Sequence, residues 1–401
     1  MSKKCFFIIL SIFLYFAMSK PLFAEPVLNG KGAVLLDAQS GQVLFEKNMD
    51  EKLPPASITK ILTAIIAIES GKLNDLVTVS ANPPFIEGTR VYLEEGEKVV
   101  LRDLVIAALV YSANDAALAI AEYLSGTEEE FAKLMNKKAR ELGAVNSNFV
   151  NSHGLTENGH YTTAYDMAVI TRYALKNEIF REMVSMKVFD WEGKAWQTRL
   201  INKNQLLWSY KGANGVKTGY TKEAKCTIVA SATREGQTYI AVVLGSIGNN
   251  TWTDAERLLD YGFNNFQTVQ FAHPEEVVAT IALDEKNKLQ LAAEHHFSLS
   301  LPQAGNKKVE SRLSLKAIGD SVDQGQVVGE MIYSVNGEDV GSVKLVAKEQ
   351  VKIINWFDRV VYLFAGIYLL QILWRIVQKW RKSRRSRNMF LSTTRSFYRE
   401  L

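Results

Sequence analysis

The run Pro54-Pro55-Ala56-Ser57-Ile58-Thr59-Lys60-Ile61-Leu62-Thr63, continued by apolar residues through Ile68, constrains the fold more than any other stretch. Two prolines set the entry to a helix, because proline is preorganised for a first helical turn. The helix they open has almost no polar face, so it has to be covered by other elements. Within it, Ser57 and Lys60 stand three residues apart, about 5–6 Å on one face. A hydroxyl and an amine then meet at the positive end of a helix dipole. Burial favours the neutral amine, so Lys60 could take the serine's proton near neutral pH. That is the chemistry of an activated serine nucleophile. Taken alone, Ser-x-x-Lys equally describes a capped helix with a solvated lysine, and the reading depends on partners downstream.

The two ends of the chain carry different information. At 401 residues there is room for two folded domains and additional segments. Lys3 and Lys4 precede the apolar run Cys5–Phe16, and Leu22-Phe23-Ala24 offers a small-residue cleavage site before Glu25. Residues 1–24 therefore read as a secretory signal peptide, with an uncleaved anchor as the alternative. Its removal leaves Cys226 alone, so the mature chain forms no intrachain disulfide and relies on its own core. At the other end, seven basic residues and no acid lie between Arg375 and Arg387, and without them the net charge falls from +4 to −3. The basic character is local, and nucleic acid is not needed to explain it.

Residues 353–377 are apolar except for Asn355, Asp358, Arg359, Gln371 and Arg375. The charge-free core Val360–Trp374 falls short of the roughly 20 residues a span wants, but its flanks extend it. Because the apolar residues run nearly all round, a transmembrane or membrane-anchor helix is expected, with the basic tail 378–401 inside. An amphipathic helix lying in the interface is the rival.

Between the ends, two apolar runs around Ala38-Gln39-Ser40-Gly41-Gln42 predict a β-hairpin. Small strands at Leu76–Val79 and Val99–Val100 and helices over Leu101–Leu109, Ala116–Leu124, Thr127–Leu142 and Ala164–Lys176 predict a helical lobe. Thr127 with Glu128–Glu130 behind it is a helix start, and residues 143–163 are loop-like. Three antiparallel strands follow around Gly215–Tyr220, Cys226–Thr233 and Tyr239–Leu244, then a helix over Trp252–Phe263. From 271 to 348 the pattern changes to short strands, Phe297–Leu301 among them, and tight turns such as Val335-Asn336-Gly337-Glu338. This reads as a small separate β domain without a catalytic constellation.

Two stretches complete what Ser57 and Lys60 begin. Ser112-Ala113-Asn114 closes a helix and offers a hydroxyl and an amide in one short turn. Lys217-Thr218-Gly219 opens a strand, where a lysine and a hydroxyl can hold a carboxylate and the glycine permits close approach of a backbone. Each has a bland reading, as a helix terminus or a solvated charge. Together, in this order and context, they resemble the set Ser-x-x-Lys, Ser-Asp-Asn and Lys-Thr-Gly of class A β-lactamases and penicillin-binding proteins, with Ala113 in the middle place of the second motif. His153 and His160, seven apart in a loop, suggest hydrogen bonding rather than a metal site. Glu157 reads as a loop carboxylate, and Cys226 as strand packing beside the site.

The sequence resembles the low-molecular-mass penicillin-binding proteins of the penicillin-binding protein 5 type, serine-type D-alanyl-D-alanine carboxypeptidases. The resemblance covers most of residues 27–348 and includes Pro-Ala-Ser-Ile-Thr-Lys, Tyr-Ser-Ala-Asn-Asp-Ala-Ala, Asn-Ser-His-Gly-Leu and Gly-Val-Lys-Thr-Gly-Tyr-Thr. It implies an α/β (α+β) DD-peptidase-like domain over residues 25–270, with an antiparallel sheet and a helical lobe, then an all-β domain over 271–348. It implies a Ser57 acyl-enzyme formed from peptidoglycan stem peptides ending in D-Ala-D-Ala, without a cofactor, and β-lactams as covalent inhibitors. Lys60 would be the base, and Ser112 would relay protons with it. Asn114 would hold the substrate amide, and Lys217 and Thr218 the terminal carboxylate. The backbone N–H groups of Ser57 and Tyr220 would make the oxyanion hole, beside Gly219. The implied setting is the outer face of a bacterial cytoplasmic membrane, against its lipid.

One departure stands out. Where some relatives carry an arginine after the third strand, this chain reads Asn249-Asn250-Thr251-Trp252, and Arg257 falls on the following helix. A β-lactamase or endopeptidase on the same scaffold, or a non-catalytic wall-binding protein, are the competing readings.

Overall fold

The computed structural model describes residues 25–397 apart from 275, 284–286, 306, 320 and 353–355. The expected signal segment therefore lies outside the described residues. The chain opens with the predicted hairpin, β1 (Gly32–Asp37) and β2 (Val43–Lys47). A tight 3-10 turn, Ala56–Thr59, leads into α1 (Lys60–Glu69). Strands β3 (Leu76–Thr78) and β4 (Lys98–Val100) pair across the next loop. Helix α2 (Leu101–Ile106) runs into a π-helical turn, Ala107–Tyr111, and α3 (Asn114–Ser125) and α4 (Glu128–Glu141) follow. Helix α3 begins two residues before the predicted start, which brings Asn114 and Asp115 into its first turn. The Thr127 side chain accepts from the Glu130 N–H, the cap the sequence predicts. Helix α5 (Ala164–Ala174), capped in the same way by Thr163, completes the predicted lobe.

The next stretch was silent in the sequence. It forms α6 (Glu178–Ser185), a hairpin of β5 (Val188–Glu192) and β6 (Gln197–Ile201), and α7 (Leu206–Ser209). Each strand of the hairpin buries one side chain, Trp191 or Leu200, and leaves the others partly or fully exposed, so the period-2 signal is too weak to read. The predicted three-stranded meander follows as β7 (Ala213–Thr221), β8 (Lys225–Arg234) and β9 (Gln237–Ser246), then α8 (Asn250–Asn265).

These strands form one antiparallel sheet in the order β2-β1-β9-β8-β7. Alternation along the strands builds two cores, because successive side chains point to opposite faces. Val34, Leu36, Ile240 and Val242 face the helical lobe, where Ile61, Leu62 and Ile65 of α1 are fully buried. Ala33, Leu35, Ala241 and Val243 face Leu258 and Leu259 of α8. The all-apolar α1 is thus covered as its composition demands. Truncating one of its buried leucines or isoleucines to alanine costs about 2–5 kcal/mol. Strand β7 is left at one edge of the sheet, beside the turn that carries Ser57.

The later strands are β10 (Phe266–Ala272), β11 (Val277–Ala282), β12 (Lys288–Ala293), β13 (Phe297–Pro302), β14 (Val309–Leu315), β15 (Ser321–Val322), β16 (Val327–Val335), β17 (Glu338–Ala347) and β18 (Val351–Lys352). The chain divides into two compact units, and Ser298–Lys307 belongs to the first. Phe297–Leu301 is therefore a strand, as read, but it pairs with β10 rather than joining the later sheet. Buried Asp37 explains the return: Oδ2 accepts from Ser300 Oγ and, at 2.6 Å, from Thr268 Oγ1. The second unit has its own antiparallel sheet, β11-β12-β17-β16-β14, closed over Leu289, Leu291, Val343 and Leu345. Helix α9 (Trp356–Phe397) ends the described chain, and its stretch Val360–Lys382 is long and apolar enough to cross a membrane.

Candidate active site

Ser57 lies on the 3-10 turn rather than in the α-helix proper, and it is half-buried. The turn is held from two sides. From the sheet, Thr227 Oγ1 donates to the Pro55 carbonyl at 2.9 Å. On β7, an added Cβ at Gly219 would meet Ser57 N at 2.6 Å and Ala56 Cβ at 2.9 Å, so only glycine lets the strand lie this close. The backbone that approaches Gly219 closely is that of the protein's own Ser57 turn. From the 143–163 loop, Gly154 packs so tightly that a Cβ would overlap Ala56 O at 1.9 Å. His160 Nδ1 accepts from the Val150 N–H at 3.1 Å, which leaves Nε2 to donate to Thr59 Oγ1 at 3.0 Å. Burial, and next the neighbouring His153, hold His160 down to about 4, so it is neutral.

Lys60 is fully buried. Its Nζ lies 3.0 Å from Ser57 Oγ, 2.7 Å from Asn114 Oδ1 and 2.6 Å from the His153 carbonyl. Burial, then the charge of Lys217, pushes this amine well below the usual lysine range, although Asp115 and Glu128 pull the other way. The partner set has a chemical consequence. An amide oxygen and a peptide carbonyl only accept, so they hold two N–H bonds of a neutral amine. The third direction, where the lone pair must then lie, faces the one partner that can donate, the Ser57 hydroxyl. Spacing in the sequence foresaw the serine and lysine, but not this arrangement.

The other expected residues gather around this pair. Ser112 has a left-handed conformation (φ 72°) at the end of the π-helical turn and lines the cleft with Ser57, Thr218, Gly219 and Tyr220. Among the described residues no hydrogen bond joins Ser112 to Lys60. Asn114, expected to hold a substrate amide, has Oδ1 on Lys60 and donates through Nδ2 to the Glu87 carbonyl at 2.6 Å. Lys217 is buried, donates to the Thr218 carbonyl at 2.9 Å, and is pushed down to about 7 by burial and next by Lys203. The cleft encloses about 320 Å³.

Several residues of this site went unread. Lys203 lines the cleft just past the silent hairpin; Thr251, which is buried, and Trp252, both in the stretch already noted as a departure, line it as well. Thr251 Oγ1 has no hydrogen-bond partner among the described residues. Arg257 is committed elsewhere, donating to the Val27 carbonyl at 2.8 Å. Buried Asp115, next to Asn114, accepts from the Val91, Leu93 and Ala116 N–H groups and so ties the 91–93 segment to the start of α3. Its adjacency to Asn114 was its only sequence signal. Glu157 accepts from Asn151 Nδ2 at 3.3 Å within its loop. Among the described residues no group of three or more His, Cys, Asp or Glu side chains is placed to hold a metal.

Residues 20–248 match a family model described as D-alanyl-D-alanine carboxypeptidase, and residues 266–353 match one described as the penicillin-binding protein 5 C-terminal domain. The chain is 35% identical to D-alanyl-D-alanine carboxypeptidase DacF of Bacillus subtilis, over 82% of this chain and 87% of that one. It is 34% identical to D-alanyl-D-alanine carboxypeptidase DacC of Escherichia coli, over 84% and 87%. Crystal structures of penicillin binding protein 5 from Haemophilus influenzae resemble it with a TM-score of 0.75 at 30% identity, covering 82% of this chain and 99% of that one.

Proposed function

The chain belongs to the D-alanyl-D-alanine carboxypeptidase family and is a serine-type hydrolase of that class; we propose that it frees the terminal D-alanine of peptidoglycan stem peptides through an acyl-enzyme on Ser57. One observation carries this reading: Lys60 Nζ is buried, held by two acceptor-only groups, and aimed at Ser57 Oγ at 3.0 Å. The Lys217 ammonium and the Thr218 hydroxyl receive the substrate's terminal carboxylate. Neutral Lys60 takes the Ser57 proton as Oγ attacks the carbonyl of the penultimate D-alanine. Backbone N–H groups of Ser57 and Tyr220 face the developing oxyanion, an effect usually worth a few kcal/mol. The intermediate collapses by breaking the peptide bond, and the proton passes from Lys60, by way of Ser112, to the departing D-alanine amine. Water, deprotonated by Lys60, then hydrolyses the ester. A β-lactam acylates Ser57 in the same way, but its amine stays tethered to the acyl group.

We infer the location from the signal-like composition of residues 1–24 and the apolar stretch of α9. An exported catalytic unit is held at the outer face of the membrane by the span within α9, whose apolar side chains from Val360 to Trp380 are largely exposed. The test is D-alanine release from a diacyl-Lys-D-Ala-D-Ala peptide, with intact-mass analysis after penicillin. Release, and one adduct mapping to Ser57 and lost in Ser57→Ala, is expected. Folded protein giving neither signal would leave a wall-binding module instead.

A further inference from the structure

At the start of α4, a half-buried carboxylate, that of Glu128, makes no hydrogen bond to Ser57 and does not line the cleft. We propose that Glu128 is a positioning residue for the base: by gripping the Ser152–His153 segment it sets the carbonyl that helps orient the Lys60 amine, and its charge opposes that of Lys217. This rests on the reading of Ser57 and Lys60 as nucleophile and base.

The contacts form a chain from helix to amine. Glu128 Oε1 accepts from Ser152 N at 2.9 Å and Ser152 Oγ at 2.6 Å, and lies 3.4 Å from His153 Nε2. His153 Nδ1 accepts from the Leu155 N–H at 3.1 Å, so the ring proton is on Nε2, toward the carboxylate. The Ser152 carbonyl is pinned from the other side by Thr63 Oγ1 at 2.6 Å, one turn beyond Lys60 on α1. Ser152 is completely buried and His153 nearly so. The next acceptor along the chain is the His153 carbonyl, 2.6 Å from Lys60 Nζ. Glu128 itself sits in the first turn of α4, where the helix dipole favours an anion. Burial pushes its carboxyl up, but His153 and Ser152 outweigh this and keep it below the usual glutamate range.

Charge is the second part of the inference. The charges that shift Lys60 are Lys217 from β7, Asp115 from α3 and Glu128 from α4, while His153 and His160 stand on the loop packed against it. Among the charges that shift the amine, two carboxylates oppose one cation. Removing the Glu128 charge should make Lys60 still easier to deprotonate. A purely structural glutamate would instead change stability without moving the pH dependence of acylation.

Three substitutions separate these roles, read as the second-order rate of penicillin acylation against pH. Glu128→Gln keeps an oxygen for Ser152 and loses the charge, so the acid limb should move to lower pH by about half a unit. Glu128→Asp keeps the charge but falls short of Ser152, so the limb should stay while the plateau falls about tenfold. Glu128→Ala should show both changes; if it fails to fold, the first two decide. An acid limb for Glu128→Gln that overlays the wild type, with a Glu128→Asp plateau within twofold, would overturn the proposal. Failure of the wild type to form the Ser57 adduct would instead remove the reading on which it rests.

Discussion

Alanine at position 219 adds one methyl group, and the structure says where it goes. The new Cβ would lie 2.6 Å from Ser57 N, 2.6 Å from Thr227 Oγ1 and 2.9 Å from Ala56 Cβ. Real Cβ contacts stay beyond about 3.0 Å, so strand and turn must part by at least about 0.4–0.5 Å, and by more for ordinary contact. No flexible side-chain end takes up the clash, because Ser57 N is backbone and Thr227 Oγ1 is tied to Pro55 O. Gly219 does not have a left-handed backbone, so the substitution carries no torsional penalty and the effect is steric alone. Overpacking of this kind costs about 1–3 kcal/mol of stability. Catalysis suffers more, since displacing a nucleophile by up to 1 Å costs about a hundredfold. The expected outcome for Gly219→Ala is therefore a loss of about 30- to 100-fold in both penicillin acylation and D-alanine release, with a folded protein and a few degrees' loss of Tm. Stopped-flow acylation and calorimetry on the same preparation measure the two effects. A variant within threefold of wild type in acylation would refute the claim that β7 sets the Ser57 turn.

Other predictions follow from the buried titrating groups and the C-terminal helix. His160 is held at about 4 against about 6.5 in an unfolded chain, so the unfolded state binds the extra proton. That contribution is fully present above pH 6.5 and is lost as pH falls toward 4, by about 3 kcal/mol; the stability gap between wild type and His160→Gln should shrink over this window in denaturant titrations. Lys217 loses its proton in the free protein as pH rises through about 7, so the KM for a D-Ala-D-Ala peptide should climb on the alkaline side. Lys217→Gln should raise KM about tenfold at pH 6 and flatten that dependence, and an unchanged KM would remove Lys217 from carboxylate binding. Deleting residues 353–401 should leave acylation within twofold but move the protein from the carbonate-resistant membrane fraction to the soluble one. A truncated chain that stays in that fraction would remove α9 as the anchor.

Much of the fold was legible because periodicity and caps agree. Val34 and Leu36 alternate with Ala33 and Leu35, Thr127 caps the helix behind it, and the meander from Ala213 to Ser246 has turns where Gly and charged residues cluster. What stayed hidden was held by contacts that composition does not signal. The β5–β6 hairpin depends on one buried Trp191 and one buried Leu200, supported by an exposed Arg199–Asp190 pair. Likewise Phe297–Leu301 carries an ordinary strand pattern, and nothing in it names its partner. Its return to β10 is set by Asp37, more than 250 residues earlier in the chain.

The active site divides along the same line. Residue types and spacings announce a serine, two lysines, a second serine and an amide, but chemistry depends on where lone pairs and protons point. Asn114 has the right identity, yet its oxygen faces Lys60 instead of empty cleft. The companion acceptor is the carbonyl of His153, a backbone atom that any residue would supply, so no motif can encode it. What the sequence does encode is the means of holding that carbonyl: Thr63 one turn past Lys60, Gly154 small enough to lie on Ala56, and Glu128 at the start of a capped helix. Their joint effect is to leave the Lys60 amine a single free direction, toward Ser57 Oγ, so the buried loop behind the nucleophile is as much a part of the base as the lysine.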